Sequence, residues 1–136
     1  MRTRTVLLID DSAMLRRALA RVLKGYGWDC VEARDPERAA LLYRVADCVL
    51  SDWSMPNGGG ARVLRESPVP VVIHTGSPDV NAPVVLIKPA DPAAIDRELR
   101  AAIDARRDFA RHLVTDLDRS VGRAAAAAYI AGLPIR

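Results

Sequence analysis

At 136 residues, half of them apolar, the chain is long enough to bury one sizeable core and suits one domain. It contains no uninterrupted apolar run of 18 residues, and acid follows "MRTRTVLLI" before a signal-peptide core could form; no membrane span or secretory leader is expected, and a cytoplasmic protein is expected. Residues 1–104 balance at 14 Lys/Arg against 14 Asp/Glu, so the net +3 lies in residues 105–136, where six Arg stand among three Asp; that reads as a solvated helix face, and no direct nucleic-acid or membrane binding is expected.

The elements follow in a regular alternation. "TVLLID" (5–10) is a short aliphatic run suited to a strand buried on both faces. A helix follows from Ala13 to Lys24, with Leu15, Ala18, Leu19 and Val22 on one stripe and Gly25 at its stop. "WDCVEA" reads as strand two. Asp35 and Pro36 then supply an N-cap and a first-turn proline for a helix reaching Val45. "DCVLSD" (47–52) is strand three and again ends in acid. "NGGGARVLRES" holds a turn and two helical turns, with hinge-like freedom at Gly58–Gly60. "VPVVIHT" is strand four and "PVVLIK" strand five. Asp91 and Pro92 cap a last helix bearing Ile95, Leu99 and Ile103 at i, i+4, i+8. Strands alternating with helices predict a parallel, doubly wound α/β sheet with right-handed crossovers.

Chemistry in such sheets gathers at the carboxyl ends of the strands. Asp10 and Asp11 end strand one, Asp52 ends strand three, Thr75 strand four and Lys88 strand five. Three carboxylates brought to one edge repel one another unless a cation sits among them. Mg²⁺ takes oxygen ligands from a few carboxylates plus waters and phosphate, so it is the expected cofactor. His74 and His112 have no partners at metal-ligand spacing. The two cysteines, Cys30 and Cys48, match a reducing compartment and read as apolar filler.

In order along the chain, "LLIDDS", "VLSDWSMPNGGG", "VVIHTGS" and "LIKP" resemble the four signature blocks of the response-regulator receiver domain of two-component signalling. The resemblance covers residues 3–104 and leaves 105–136 as a helical tail or an extension of the last helix. It implies a flavodoxin-like, five-stranded sheet in the order 2-1-3-4-5. That order places strand one between the strands of Cys30 and Cys48, too wide for a disulfide between flanking positions.

The resemblance also implies a function. Asp52 would accept a phosphoryl group from a phosphohistidine on a sensor histidine kinase or histidine phosphotransfer protein. Asp11 would hold Mg²⁺ directly and Asp10 through water, with the Trp53 backbone carbonyl as a further ligand. Lys88 and the Thr75 hydroxyl would meet the phosphoryl oxygens. The implied product is a single-domain regulator signalling to a downstream protein, not an enzyme beyond its own phosphorylation and dephosphorylation. An aspartyl-phosphate phosphatase would need a second Asp two positions after the nucleophile, where Ser54 stands.

Two departures from the family pattern favour an alternative, a receiver-fold interaction module that works without phosphorylation. Only 12 residues separate Thr75 from Lys88, and "GSPDVNAP" has two prolines and no apolar stripe, so the crossover helix there is expected to be missing or a single turn. The switch aromatic expected on strand five is Val85. Output is then expected from the tail, where Ile103, Ala110, Leu117 and Ala124 repeat every seven residues, with Leu99 and Leu113 alongside, a pattern suited to a homodimer or a partner helix.

Overall fold

Thr5–Ile9 (β1), Asp29–Ala33 (β2), Cys48–Ser51 (β3), Val71–Thr75 (β4) and Val85–Ile87 (β5) form one parallel sheet in the order β2-β1-β3-β4-β5. The architecture is a computed structural model that describes residues 2–121. Each strand lies within the stretch expected for it. The flanking acids extend the ladders by one bond: the amide of Asp10 donates to Ala33, and that of Asp52 to Ile9.

Strand residues alternate between two cores, as a sheet covered on both faces requires. Val6, Leu8, Cys48, Leu50 and Val72 face α1 (Ala13–Gly25) and α4 (Pro92–Val121), meeting Leu23, Ile95, Leu99 and Ile103. Leu7, Ile9 and Val49 face the other way, onto Ala39, Tyr43 and Val63 of the α2 (Pro36–Ala39) and α3 (Gly59–Glu66) side. Each fully buried Leu, Ile or Val of these cores contributes about 1.5–3 kcal/mol of apolar burial. Cys30 and Cys48 both pair with Val6 from opposite sides and remain free thiols. Burial pushes the Cys30 thiol up to about 11 and that of Cys48 upward too, so both pack as filler.

Two helices differ from expectation. In α1 the Ser12 hydroxyl caps Leu15 N–H at 3.2 Å, but the inward stripe is rotated: Leu23 is buried, Leu15, Leu19 and Ala20 are half-buried, and Ala18 and Val22 face solvent. The cause lies at the helix end. The amides of Tyr26 and Trp28 both donate to the Leu23 carbonyl, and Leu23 and Trp28 are buried in the same core. Trp28 is itself fixed across the fold, its Nε1 donating to Asp96 at 2.8 Å while the Arg100 guanidinium stacks 4.8 Å from its centroid.

After β2, Asp35 caps Arg38 N–H as expected, but α2 closes at Ala39 and a 3-10 turn spans Tyr43–Val45. A 3-10 turn has three residues per turn, which puts Tyr43 and Ala46 together on the sheet while Leu41 stays exposed. Among the described residues no helix lies between β4 and β5, in line with the proline-bearing segment. The last helix runs without a break through residue 104, the expected boundary of the tail. Ile95, Leu99, Ile103 and Ala110 are buried along it; of the seven-residue repeat, Ala124 and the side chain of Leu117 lie outside the described part of the chain.

His74 is buried on β4, and its Nε2 has no hydrogen-bond partner among the described residues. Burial, with Lys88 nearby, holds its imidazole below the ordinary 6.5. The unfolded chain therefore takes up this proton first. The stability contributed by neutral His74 is fully present above 6.5 and is lost as pH falls toward the depressed native value. A His74→Leu variant should show a flatter urea midpoint between about pH 7 and pH 5 than the wild type. Parallel pH slopes would assign the acid sensitivity to another group.

Candidate functional site

Because every strand is parallel, the last residues of β1, β3, β4 and β5 arrive at one edge of the sheet. Asp10 is buried there, Asp52 half-buried and Asp11 exposed, and one carboxylate oxygen from each lies within 4.8 Å of the others. Each sequence-identified carboxylate is thus brought to the same pocket. Lys88 arrives from β5, its Nζ 2.9 Å from Asp10 Oδ2 and 3.5 Å from Asp52 Oδ1.

Backbone amides complete the hold on two of the acids. Ser12 N–H donates to Asp10 Oδ1 at 2.8 Å, and Trp53 N–H donates to Asp52 Oδ1 at 2.8 Å. The Asp11 carboxylate receives no hydrogen bond and no ion pair among the described residues. Burial raises the Asp52 pKa, with the Asp10 charge adding to the shift, while the Lys88 ammonium and the Trp53 amide oppose it; the net direction is upward. Even so, three carboxylates meet in this pocket against one ammonium, which pairs with two of them. The deficit of positive charge and the all-oxygen donor set fit a hard divalent cation such as Mg²⁺.

The Trp53 carbonyl, expected as a further ligand, accepts the Gly60 amide at 2.8 Å. A carbonyl has a second lone pair, so the bond leaves one acceptor position open. The glycine run also has a packing reason. A Cβ on Gly59 would lie 2.4 Å from Trp53 O, and one on Gly60 would lie 2.8 Å from both Asp52 O and Trp53 Cε3. These glycines let the start of α3 sit directly on the backbone of the acidic loop. Gly60 serves close approach, and Gly59 combines close approach with a φ of +60° that favours glycine.

Thr75 ends β4 at this edge and is buried. Its Oγ1 accepts the Ser77 amide at 3.2 Å and forms no hydrogen bond with the three acids. Val85 occupies β5 opposite Ile73, where no aromatic ring is available. Arg16 stands behind the site, touching none of its three carboxylates, and the sequence motifs do not single it out. It reaches back from the first turn of α1 to the Asp10 carbonyl, and its Nε meets Glu32 at 3.2 Å. A long cation four residues after an N-cap that follows an acidic strand exit was the available signal.

Among the described residues no helix is long and apolar enough to cross a membrane. A family model for the response regulator receiver domain matches residues 6–100. The phosphate regulon transcriptional regulatory protein PhoB of Pseudomonas aeruginosa is 27% identical over 118 residues, covering 74% of this chain and 52% of that protein. The probable transcriptional regulator ycf27 of Guillardia theta is 31% identical over 127 residues, covering 81% of this chain and 50% of its own. The chain thus spans about half the length of these curated relatives. In fold it is similar to a response regulator receiver domain protein from Clostridium thermocellum, with a TM-score of 0.71 at 22% identity over 78% of this chain and 98% of that one. The matched span takes in every strand end that carries the acids and Lys88, and the chain belongs to the response regulator receiver domain family of two-component systems.

Proposed function

We propose that Asp52 accepts a phosphoryl group from a phosphohistidine on a sensor histidine kinase or histidine phosphotransfer protein, and that the phosphorylated chain signals by contact with a downstream protein. The observation that carries this reading is the meeting of three carboxylates and one ammonium at a single sheet edge, with ligand oxygens within 4.8 Å. In the transfer the phosphorus–nitrogen bond of the donor breaks, a bond forms from an Asp52 carboxylate oxygen to phosphorus, and the imidazole leaves. A carboxylate is a weak nucleophile, so the protein's part is positioning and charge neutralisation.

Asp11, Asp10, Asp52 and the Trp53 carbonyl are the residues that would hold Mg²⁺, which when bound supplies positive charge to the phosphoryl oxygens. Lys88 already spans Asp10 and Asp52 and is a compact ammonium placed to neutralise the same oxygens from the side of β5. Thr75 keeps its hydroxyl hydrogen free for a phosphoryl oxygen while its oxygen accepts from Ser77. Residues 1–104 form the receiver in this reading. Residues 105–136 are its tail and the candidate surface for a second copy or for the output partner.

The test is intact-mass measurement after exposure to a small phosphodonor. One phosphoryl group should be gained with Mg²⁺ present and none after chelation. The Val85 position and the missing crossover helix favour the second reading, a phosphorylation-independent interaction module. That reading prevails if no mass is gained under either condition.

A further inference from the structure

Asp11 is the acid of the pocket whose position the side-chain contacts leave unexplained. Asp10 is held by Ser12 N–H and Lys88, and Asp52 by Trp53 N–H and Lys88, whereas the Asp11 carboxylate is exposed and has no partner among the described residues. Nothing but its backbone therefore fixes where the Asp11 side chain starts, and the first link is the peptide plane joining Asp10 to Asp11. The oxygen of that plane is the Asp10 carbonyl, and Arg16 Nη1 donates to it. The guanidinium is fixed in turn: its Nε meets Glu32 Oε1 at 3.2 Å on the edge strand β2, and its side chain is only 15% exposed.

We propose that Arg16 is a positioning residue of the metal pocket, which aims Asp11 by gripping the Asp10–Asp11 peptide plane and is itself buttressed by Glu32. The inference rests on the reading of the acidic cluster as a Mg²⁺ site. Arg suits the task because its planar fork reaches two acceptors on different strands at once, which a lysine ammonium does less rigidly. Neighbours that orient metal ligands commonly matter to affinity by tenfold or more.

Charge and positioning predict opposite signs here. Considered only as a cation beside the pocket, Arg16 repels Mg²⁺, and its removal should tighten binding. Considered as a clamp, its removal frees the Asp11 backbone and should weaken binding by about tenfold.

Calorimetric titration of Mg²⁺ into the full chain separates the two. Arg16→Ala should bind about tenfold more weakly than wild type. Arg16→Lys, which keeps the charge and loses the fork, should fall between them. At saturating Mg²⁺ the rate of phosphoryl uptake from a small phosphodonor should return to near the wild-type value in both variants, because Arg16 touches no reacting atom. Equal or tighter binding by Arg16→Ala overturns the proposal. So does a loss of uptake rate at saturation with the Mg²⁺ affinity unchanged. If Arg16→Ala does not fold, Arg16→Lys decides alone: unchanged affinity overturns the clamp and weakened affinity supports it. A wild-type chain that binds no Mg²⁺ would instead remove the metal reading on which the clamp depends.

Discussion

Asp52→Asn will take up no phosphoryl group, and without metal its fold will be more stable than that of the wild type. The first effect follows from chemistry, because an amide carbonyl carries no negative charge to attack phosphorus. The second follows from the site. The pKa of Asp52 is raised by burial despite Lys88 and the Trp53 amide, so holding it ionised costs the native state free energy. With a raised native pKa, the wild-type fold is best placed below the ordinary carboxylate value and loses stability as pH rises through the raised one. Asn keeps the shape and an oxygen for the Trp53 amide, and Lys88 keeps its 2.9 Å contact to Asp10. Urea midpoints in chelator should therefore rank the variant above wild type near neutral pH, with the gap closing toward acid. Added Mg²⁺ should narrow the gap, since it stabilises the form that binds it better. Phosphoryl uptake by the variant at the wild-type level would move the acceptor elsewhere. A variant less stable than wild type in chelator would show that Lys88 outweighs burial at this position.

How much of this was legible in the sequence can be told from particular residues. The strand ends were, because a buried parallel strand is a short aliphatic run that stops abruptly, as at Asp10, Asp52 and Lys88. The order of the sheet came from family resemblance, since a run such as "CVLS" has no mark of its neighbours. The inward phase of α1 was not legible. Val22 and Leu23 are both apolar, and the choice between them goes with the turn that seats Trp28, whose ring is held from the far end of the chain by Asp96 and Arg100. The length of α2 was hidden for a related reason: Tyr43 and Ala46 reach the sheet only if the chain tightens into a 3-10 turn, which helical periodicity does not register. Arg16 is unmarked in the sequence because its acceptor is a main-chain carbonyl. Main-chain acceptors carry no sequence letter.

The glycines at the start of α3 give the largest expected loss of stability. Gly59 sits at φ +60°, and an added Cβ would stand 2.4 Å from the Trp53 carbonyl oxygen, a contact that only backbone movement can relieve. The left-handed conformation costs a residue with a Cβ about 1–2 kcal/mol, and forced displacement in a packed site about 1–3 kcal/mol more. Gly59→Ala should therefore lose about 2–5 kcal/mol in urea unfolding. A Cβ on Gly25, the last residue of α1, would meet no heavy atom within 4 Å, and its φ is not positive, so Gly25→Ala is the matched control. It should be neutral or stabilising by up to about 1 kcal/mol. The Trp53 carbonyl that a Cβ on Gly59 would crowd is the further ligand proposed for Mg²⁺, so Gly59→Ala should weaken Mg²⁺ binding as well, whereas Gly25→Ala should leave it unchanged. Equal midpoints for the two variants would mean that α3 can slide off the acidic loop without cost, and that the glycine run does not hold the pocket in shape.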